Sequence, residues 1–463
     1  MSVRNHDPNI NLRTTFAMDQ HHRSEVKDAG QRYFNNQFAE YSNQPLTDQS
    51  QYMDQALGLM QDIYTYYTSN PSRKRRDLYT GGAGIAYACV RLLQHLPDDN
   101  QDRENIQRLC ANIIDSILTE HRATLGRDKS LMNGDAGVWM AAALVYAELD
   151  RMTDAEKALK EYVGCCAGVE RMTLTGSSGD ELFTGRCGFL VGFLELWKRF
   201  PEHSILFEVP VAGIIRAILA SGREYSNMRG FHTLSPLMFL HYEAEYVGAA
   251  HGISTILQSL LGFPTILAEI PGAINDIKAT YEYLLSSQRD SGNFPNIFGA
   301  VEDETSELVQ WCHGAAGVIY SLAKAYLFWK EDKYLNACKK CADILWKKGL
   351  LKKGPGLCHG ISGSGYAFLL IYRITEDAEY LYRANCFADV MFQPSIRESS
   401  RLPDHPYSLY EGIAGTLCYY VDLADPMQSA FPLFDVLVEC KSTLKRRVTG
   451  DNNLPSMYLT SVS

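Results

Sequence analysis

The 463-residue sequence lacks any run of 18 apolar residues free of charged or strongly polar interruptions, so no membrane span is predicted. It also lacks an excess of basic residues. Its 44 Lys and Arg face 54 Asp and Glu, and the net charge of -10 argues against a nucleic-acid binder. The first 20 residues hold no apolar segment typical of a signal peptide. The twelve cysteines are not crowded as in a small secreted disulfide framework. We therefore expect a cytoplasmic protein, with peripheral contact to the plasma membrane left open.

Strand-like alternation of apolar and polar residues is scarce as well, whereas a Gly-x-x-Gly turn recurs along the chain. Six copies are intact, and one, Gly252-Ile253-Ser254-Thr255, has lost its second glycine. The first glycines of the seven copies are Gly81, Gly134, Gly185, Gly252, Gly314, Gly360 and Gly412. A single Gly-x-x-Gly is a weak signal, but seven copies at near-regular spacing indicate a sevenfold repeat.

Two kinds of helical segment alternate with these turns. Segments that are apolar nearly all round follow the turns, at 138–149, 189–200, 318–329 and 366–372. Amphipathic segments lie between them, at 105–118, 274–285, 333–346 and 378–391. One buried and one amphipathic helix per repeat predict an all-α fold, an (α/α)7 toroid of seven inner and seven outer helices. An open superhelix is the alternative, but the apolar inner segments at both chain ends favour closure, because open solenoids usually need polar caps.

We expect three parts in the chain. Residues 1–30 form a polar, flexible arm, residues 31–445 form the toroid, and residues 446–463 form a tail. In a toroid all seven turns lie at one end of the inner barrel. The amino ends of the inner helices then point at the central cavity, which suits an anion or a thiolate.

Two turns carry the same Cys-His-Gly sequence, in which Cys312-His313 and Cys358-His359 precede the glycines. The preceding copy places His251 at the same position. Neighbouring repeats bring these side chains together, and Cys and His are the ligands that zinc prefers. Two thiols and one imidazole provide three ligands and leave a fourth position open, as in catalytic zinc sites. The spacing does not decide which imidazole binds.

Other candidates are weaker. Cys338 and Cys341 have zinc-like spacing but belong to a predicted outer helix among lysines, so we interpret them as ordinary helix residues. Asp135 and Arg186 should face the cavity, but helix capping and ion pairing explain them equally well. A glycan-processing toroid would need paired carboxylates, and Asp135 and Glu411 come from non-neighbouring repeats.

These motifs resemble those of the eukaryotic LanC-like (LANCL) proteins, relatives of the bacterial lanthionine cyclases. The resemblance spans residues 30–435 and also includes the stretches 235–238, 246–252, 349–354 and 401–415. It implies an α/α toroid. It also implies that Cys312, Cys358 and His359 bind one zinc ion, with His313 as a neighbour.

The resemblance further implies a function, the addition of the glutathione thiol to dehydroalanine, dehydrobutyrine or related electrophiles in proteins and peptides. His251 then matches the acid/base residue, Lys353 a catalytic and glutathione-binding residue, and Arg401 a glutathione-binding residue. A non-catalytic scaffold or signalling regulator that binds zinc and glutathione is the alternative. The sequence departs from the family at Thr255, and residues 1–30 have no clear counterpart.

Overall fold

The structure is a computed structural model that describes residues 31–69, 75–120, 125–171, 179–300, 307–391 and 393–440. Over these residues the chain forms sixteen α-helices, and its only β-structure is three isolated bridges. The helices are α1 (Ser50–Ser69), α2 (Gly82–Leu93), α3 (Arg103–Glu120), α4 (Asp135–Glu148), α5 (Met152–Cys165), α6 (Arg186–Arg199), α7 (Ser204–Arg229), α8 (Ile253–Leu260), α9 (Pro264–Ala268), α10 (Ala273–Ser286), α11 (Ala315–Trp329), α12 (Asp332–Lys348), α13 (Ile361–Thr375), α14 (Ala378–Val390), α15 (Pro394–Ser399) and α16 (Ile413–Ala424). The predicted all-α fold is confirmed. The predicted arm at 1–30 and tail at 446–463 lie outside the described residues.

Seven helices form a closed inner ring. In order around the ring they are α2, α4, α6, α8, α11, α13 and α16, each packed on the next, and α16 packs back on α2. Their side chains are buried on nearly every side. Seven helices lie outside: α3, α5, α7, α10, α12 and α14 each cover the inner helix that precedes them, and α1 covers α16. The toroid is therefore closed, and the open superhelix is excluded.

The first helix closes the ring. Helix α1 precedes every inner helix in the chain, yet it packs on α16, the last of them. Tyr52 of α1 stacks on Tyr420 of α16 with 6.0 Å between ring centroids, and its hydroxyl donates to Asp389 at 3.1 Å. Because the two ends of the chain share one repeat, neither end leaves an apolar inner helix uncovered.

Backbone hydrogen bonds join consecutive turns around the ring. They connect the residues that lie two positions before the first glycine of each turn. The N–H to C=O bonds run from Ala250 to Cys312 (3.3 Å), Cys312 to Cys358 (3.2 Å), Cys358 to Tyr410 (2.8 Å), Tyr410 to Tyr79 (3.2 Å) and Tyr79 to Met132 (3.0 Å). This ladder places equivalent residues of neighbouring repeats side by side, including the two cysteines of the Cys-His-Gly turns.

The second glycine of each turn lets its inner helix approach the backbone of the turn closely. At Gly363 a Cβ atom would lie 1.9 Å from the carbonyl oxygen of Leu357. Thr255 occupies this position in the fourth copy, where its hydroxyl donates a 2.7 Å hydrogen bond to the carbonyl of Ala249. The departure at Thr255 thus replaces a close contact with a hydrogen bond to the equivalent carbonyl.

We expect Gly363→Ala to lower the free energy of unfolding by about 3 kcal/mol, because overpacking against fixed backbone has no flexible neighbour to absorb it. Gly58 of α1 is the matched control, since a Cβ there meets no atom within 4 Å. Gly58→Ala should raise stability by about 0.5–1 kcal/mol through helix propensity. Urea unfolding of both variants measures the difference. Equal stability of the two variants would contradict the close packing of the second glycine.

An extended segment before α1 crosses the outside of the ring near the sixth turn. Phe34 N–H donates to Leu350 O at 2.7 Å, and Lys352 N–H donates to Arg32 O at 3.0 Å. The indole N–H of Trp346 donates to Glu40 at 3.0 Å. These contacts fix the loop that carries Lys352 and leads to the second Cys-His-Gly turn.

The residues after α16 pack against Trp311 and Lys324 of the fifth repeat. The ring of Phe431 stacks on that of Trp311 with 5.4 Å between centroids, and Phe434 meets the same indole edge-on at 5.4 Å. The buried ammonium of Lys324 donates to the carbonyls of Val436 and Val438, both at 3.0 Å. Because Trp311 directly precedes Cys312, this packing helps to fix the position of that cysteine.

One stretch of the described chain, Pro201–Arg229, is long and apolar enough to cross a membrane by length and composition. It contains α7, and half of its most apolar window is buried in the protein. Phe207, Val211 and Ile215 of α7 are buried, whereas Ile205 and Val209 are exposed.

Candidate functional site

Two thiols and one imidazole meet at the turn end of the ring. The sulfur atoms of Cys312 and Cys358 and a ring nitrogen of His359 all lie within 4.8 Å of one another. We call this group the Cys–His cluster. Both cysteines are buried, whereas His359 is half-buried. The ladder between turns brings the thiols together, and His359 follows Cys358 directly. The donors therefore converge from two neighbouring repeats.

Burial and proximity decide the electrostatics of the Cys–His cluster. Burial raises the pKa of Cys358 well above its usual value, and the adjacent Cys312 raises it further. Burial, followed by the charge of the same two cysteines, likewise raises the pKa of Tyr79. Two adjacent buried thiols cannot both ionise without a compensating positive charge. A Cys₂His donor set suits zinc, and a divalent cation would supply that charge.

A histidine and a carboxylate form a second feature, on the turn that adjoins Cys312 through the Ala250 N–H to Cys312 O bond. Nδ1 of His251 lies 3.0 Å from a carboxylate oxygen of Glu181. Burial alone would raise the pKa of Glu181, but hydrogen bonds from His251, Phe183 and Thr184 outweigh it and lower the pKa. Glu181 is therefore ionised and can only accept a hydrogen bond, so Nδ1 of His251 carries the proton. The other ring nitrogen, Nε2, is free to act on a substrate.

His313 lies between the two features. Its ring centroid is 6.2 Å from that of His251, and Tyr246 contacts both imidazoles, at 5.7 Å and 6.2 Å. Burial first, and then the charges of His251, Lys353 and His241, lower the pKa of His313 to about 4. His313 is thus neutral near pH 7. It does not belong to the Cys–His cluster, which contains His359 instead.

The two predicted cationic residues lie at different depths. Lys353 is half-buried, five residues before Cys358, and its charge reaches His313. Arg401 lies at the rim with 65% of its side chain exposed, and its guanidinium is 3.7 Å from Asp404. Its backbone N–H donates to Lys352 O at 2.7 Å, which attaches the 401 segment to the loop of Lys353. Both cations therefore belong to two joined loops, one of which leads directly to Cys358.

The weaker sequence candidates have structural partners. Asp135 is 1% exposed and pairs with Arg76 at 3.1 Å. Arg186 is buried and pairs with Asp180 at 2.6 Å. These ion pairs account for the burial of both side chains. Cys338 and Cys341 are buried in α12 and belong to no group of metal-ligand geometry among the described residues.

The sequence reasoning missed Glu181, although a signal existed. Glu181-Leu-Phe-Thr-Gly in the third repeat has the same pattern as Asp77-Leu-Tyr-Thr-Gly in the first. In the first repeat, Asp77 accepts the backbone N–H of Thr80 at 2.6 Å. In the third, Glu181 accepts from the N–H of Thr184 in the same way. Its longer side chain also accepts from His251 with its second oxygen.

The sequence profile of the lanthionine synthetase C-like proteins matches residues 72–436. The chain belongs to this family. It is 37% identical over 358 residues to the Danio rerio protein named glutathione S-transferase LANCL1, covering 77% of this chain and 84% of that protein. It is 34% identical over 370 residues to the Arabidopsis thaliana LanC-like protein GCL1, covering 78% and 81%. These matches confirm the resemblance seen in the motifs.

The solved structure of nisin cyclase has the same fold as this LanC-like chain. The two align with a TM-score of 0.61 at 14% sequence identity, over 82% of this chain and 95% of the cyclase. At this identity the match establishes the fold alone. The toroid and the family are thus fixed by agreement of sequence, structure and comparison.

Proposed function

We propose that this LanC-like protein is a thioether-forming transferase that adds the thiol of glutathione to dehydroalanine or dehydrobutyrine in proteins and peptides. The observation that carries the proposal is that the Cys–His cluster and the Glu181–His251 pair lie on adjoining turns: the N–H of Ala250, next to His251, donates to the carbonyl of Cys312 at 3.3 Å, and the ring of His251 lies 6.2 Å from that of His313. A Michael-type addition needs an activated thiol on one side and a proton donor on the other, and these two groups have residues suited to both roles. The name of the Danio rerio relative supports glutathione as the thiol.

The Cys–His cluster would hold one zinc ion. Its three donors are those that zinc prefers, and the raised pKa of Cys358 is the expected property of a thiol pair that ionises only with a cation. When bound, zinc would lower the pKa of a thiol at its remaining position, so that the thiol is nucleophilic near pH 7.

His251 is the proposed proton donor. Glu181 holds Nδ1 of His251 as a hydrogen-bond donor, which orients the ring so that Nε2 can face a substrate. Sulfur forms a bond with the β-carbon, Nε2–H of His251 delivers a proton to the α-carbon, and the thiol proton leaves to water. No oxidant or reductant is needed. His313, whose pKa is about 4, has no proton to donate at neutral pH.

Lys353 and Arg401 would bind the carboxylates of glutathione. Lys353 lies deeper and near His313, so it can also stabilise the enolate oxygen that develops before protonation. The exposure of Arg401 favours a role in binding at the rim rather than in the chemical step.

The test is to incubate the zinc-loaded protein with glutathione and a dehydroalanine peptide, and to measure the adduct by mass spectrometry. We expect a product heavier than the peptide by one intact glutathione, formed well above the uncatalysed rate. If glutathione binds but no such excess is seen with any dehydroamino-acid peptide, the non-catalytic scaffold replaces the transferase.

A further inference from the structure

A second group of metal-ligating side chains lies beside the Cys–His cluster. A carboxylate oxygen of Glu181 and one ring nitrogen each of His241 and His251 all lie within 4.8 Å of one another. We call this group the Glu–His cluster. It shares no residue with the Cys–His cluster. Among the described residues, these are the two groups with this geometry.

His241 is the member that the proposed reaction does not use. It is only 6% exposed, and its Nδ1 has no hydrogen-bond partner among the described residues. A buried ring nitrogen without a partner costs free energy that an added ligand could recover. The unpaired nitrogen therefore points to a missing binding partner at this position.

The backbone fixes His241 in place. A tight turn pairs His241 with Ala244 through N–H to C=O bonds of 3.0 and 3.1 Å, and Tyr242 within it has φ 51°. This turn lays the His241 ring parallel to that of His251, with 4.2 Å between centroids and 5° between planes. Tyr242 has a left-handed backbone conformation, and the turn that contains it stacks one imidazole on the other. Such a strained residue indicates a specific arrangement rather than a chance contact.

The charges of the Glu–His cluster suit a cation. Glu181 is ionised, as its lowered pKa indicates. Burial first, and then the neighbouring charge of His251, lower the pKa of His241, while Glu181 raises it less. His241 is therefore neutral near pH 7 and keeps a lone pair. One carboxylate and two imidazoles form a donor set known from zinc sites.

We propose that Glu181, His241 and His251 form a second divalent-cation site, distinct from the Cys–His cluster and of O and N donors only. Without thiolates it binds more weakly than the Cys–His cluster and fills only when the cation is in excess. Its regulatory consequence rests on the proposed function. A cation here breaks the Glu181–His251 hydrogen bond and prevents His251 from being reprotonated, so excess zinc inhibits thioether formation.

Cobalt(II) tests the site itself without reference to turnover. Cobalt bound by thiolates absorbs strongly through sulfur-to-metal charge transfer, whereas cobalt at O and N donors gives only weak visible bands. We expect equilibrium dialysis to give two cobalt ions per wild-type chain, only the first with charge transfer. His241→Phe keeps the ring stack but removes the lone pair, and should bind one cobalt with its charge transfer intact.

Two further variants serve as controls. Cys312→Ala should keep the weak bands and lose the charge transfer. His203→Phe removes another imidazole beside a carboxylate, since Nδ1 of His203 lies 2.9 Å from Glu202, and should still bind two. One cobalt per wild-type chain, or two in His241→Phe, would overturn the second site.

The regulatory part has its own measurement. Since loss of a general acid costs about 100-fold, saturating zinc should slow adduct formation by wild type by about that factor. In His241→Phe, compared with its own rate at one equivalent of zinc, the slowing should largely disappear. Equal inhibition of both proteins would overturn the regulation. If no adduct forms at any zinc level, the proposed function fails, and the cobalt result still decides whether the site exists.

Discussion

Cys358→Ala is expected to lose the metal of the Cys–His cluster. It should also slow thioether formation by at least about 100-fold, because the thiol of glutathione would then keep its ordinary pKa. Only one thiol and one imidazole would remain, and zinc is not held tightly by two protein ligands. Metal analysis after dialysis against a small excess of chelator should give one zinc per wild-type chain and none per Cys358→Ala chain.

Cys338→Ala is the matched control for this loss. Cys338 is as deeply buried as Cys358, but it lies in the outer helix α12, with its sulfur 3.6 Å from the carbonyl of Ile319. Its replacement removes the same atom from a similar environment, so it should keep zinc and activity. Retention of a full zinc equivalent by Cys358→Ala, or equal loss in both variants, would contradict the assignment of the Cys–His cluster.

His251→Asn is expected to lower the rate constant of adduct formation about 100-fold, the usual contribution of a general acid. The Cys–His cluster, Lys353 and Arg401 are unchanged, so the affinity for glutathione should stay within about twofold of wild type. Stopped-flow measurement of adduct formation, together with calorimetric titration of glutathione, separates the two quantities.

His313→Asn provides the comparison. The ring of His313 lies 6.2 Å from that of His251, but its pKa of about 4 leaves it neutral. We expect its replacement to reduce the rate less than about tenfold. If His313→Asn is the more damaging variant, or if His251→Asn keeps its rate, the acid is not His251.

The architecture was predictable from the sequence because its determinants are local. Short segments alone determine the close approach at the second glycine and the all-apolar helix after it. Each feature is a weak indication by itself, but its recurrence along the chain is strong evidence for the repeat fold. Even the departure at Thr255 marks a real difference, a hydroxyl bound to the Ala249 carbonyl where other repeats have a glycine. Closure by α1 was harder to foresee, because it depends on a contact between the two ends of the chain.

The site was only partly predictable. His313 and His359 have the same local sequence, and only the direction of each ring in the folded turns places His359 with the thiols. Glu181 repeats the pattern of Asp77. The repeat therefore indicated an acidic residue before the turn, and the longer side chain of Glu181 indicated a further reach. His241 lies outside the repeat, in a short turn that places its ring on that of His251. The spacing of the sequence motifs does not predict this position. The cytoplasmic location and peripheral membrane contact stay predictions.

One assay tests the central claim most directly. Wild type, Cys358→Ala and Cys338→Ala are each incubated with glutathione and the same dehydroalanine peptide, and the adduct is followed by mass over time. The account predicts rapid addition of one intact glutathione by wild type and Cys338→Ala, and only the uncatalysed rate with Cys358→Ala. Equal adduct rates for wild type and Cys358→Ala would contradict it.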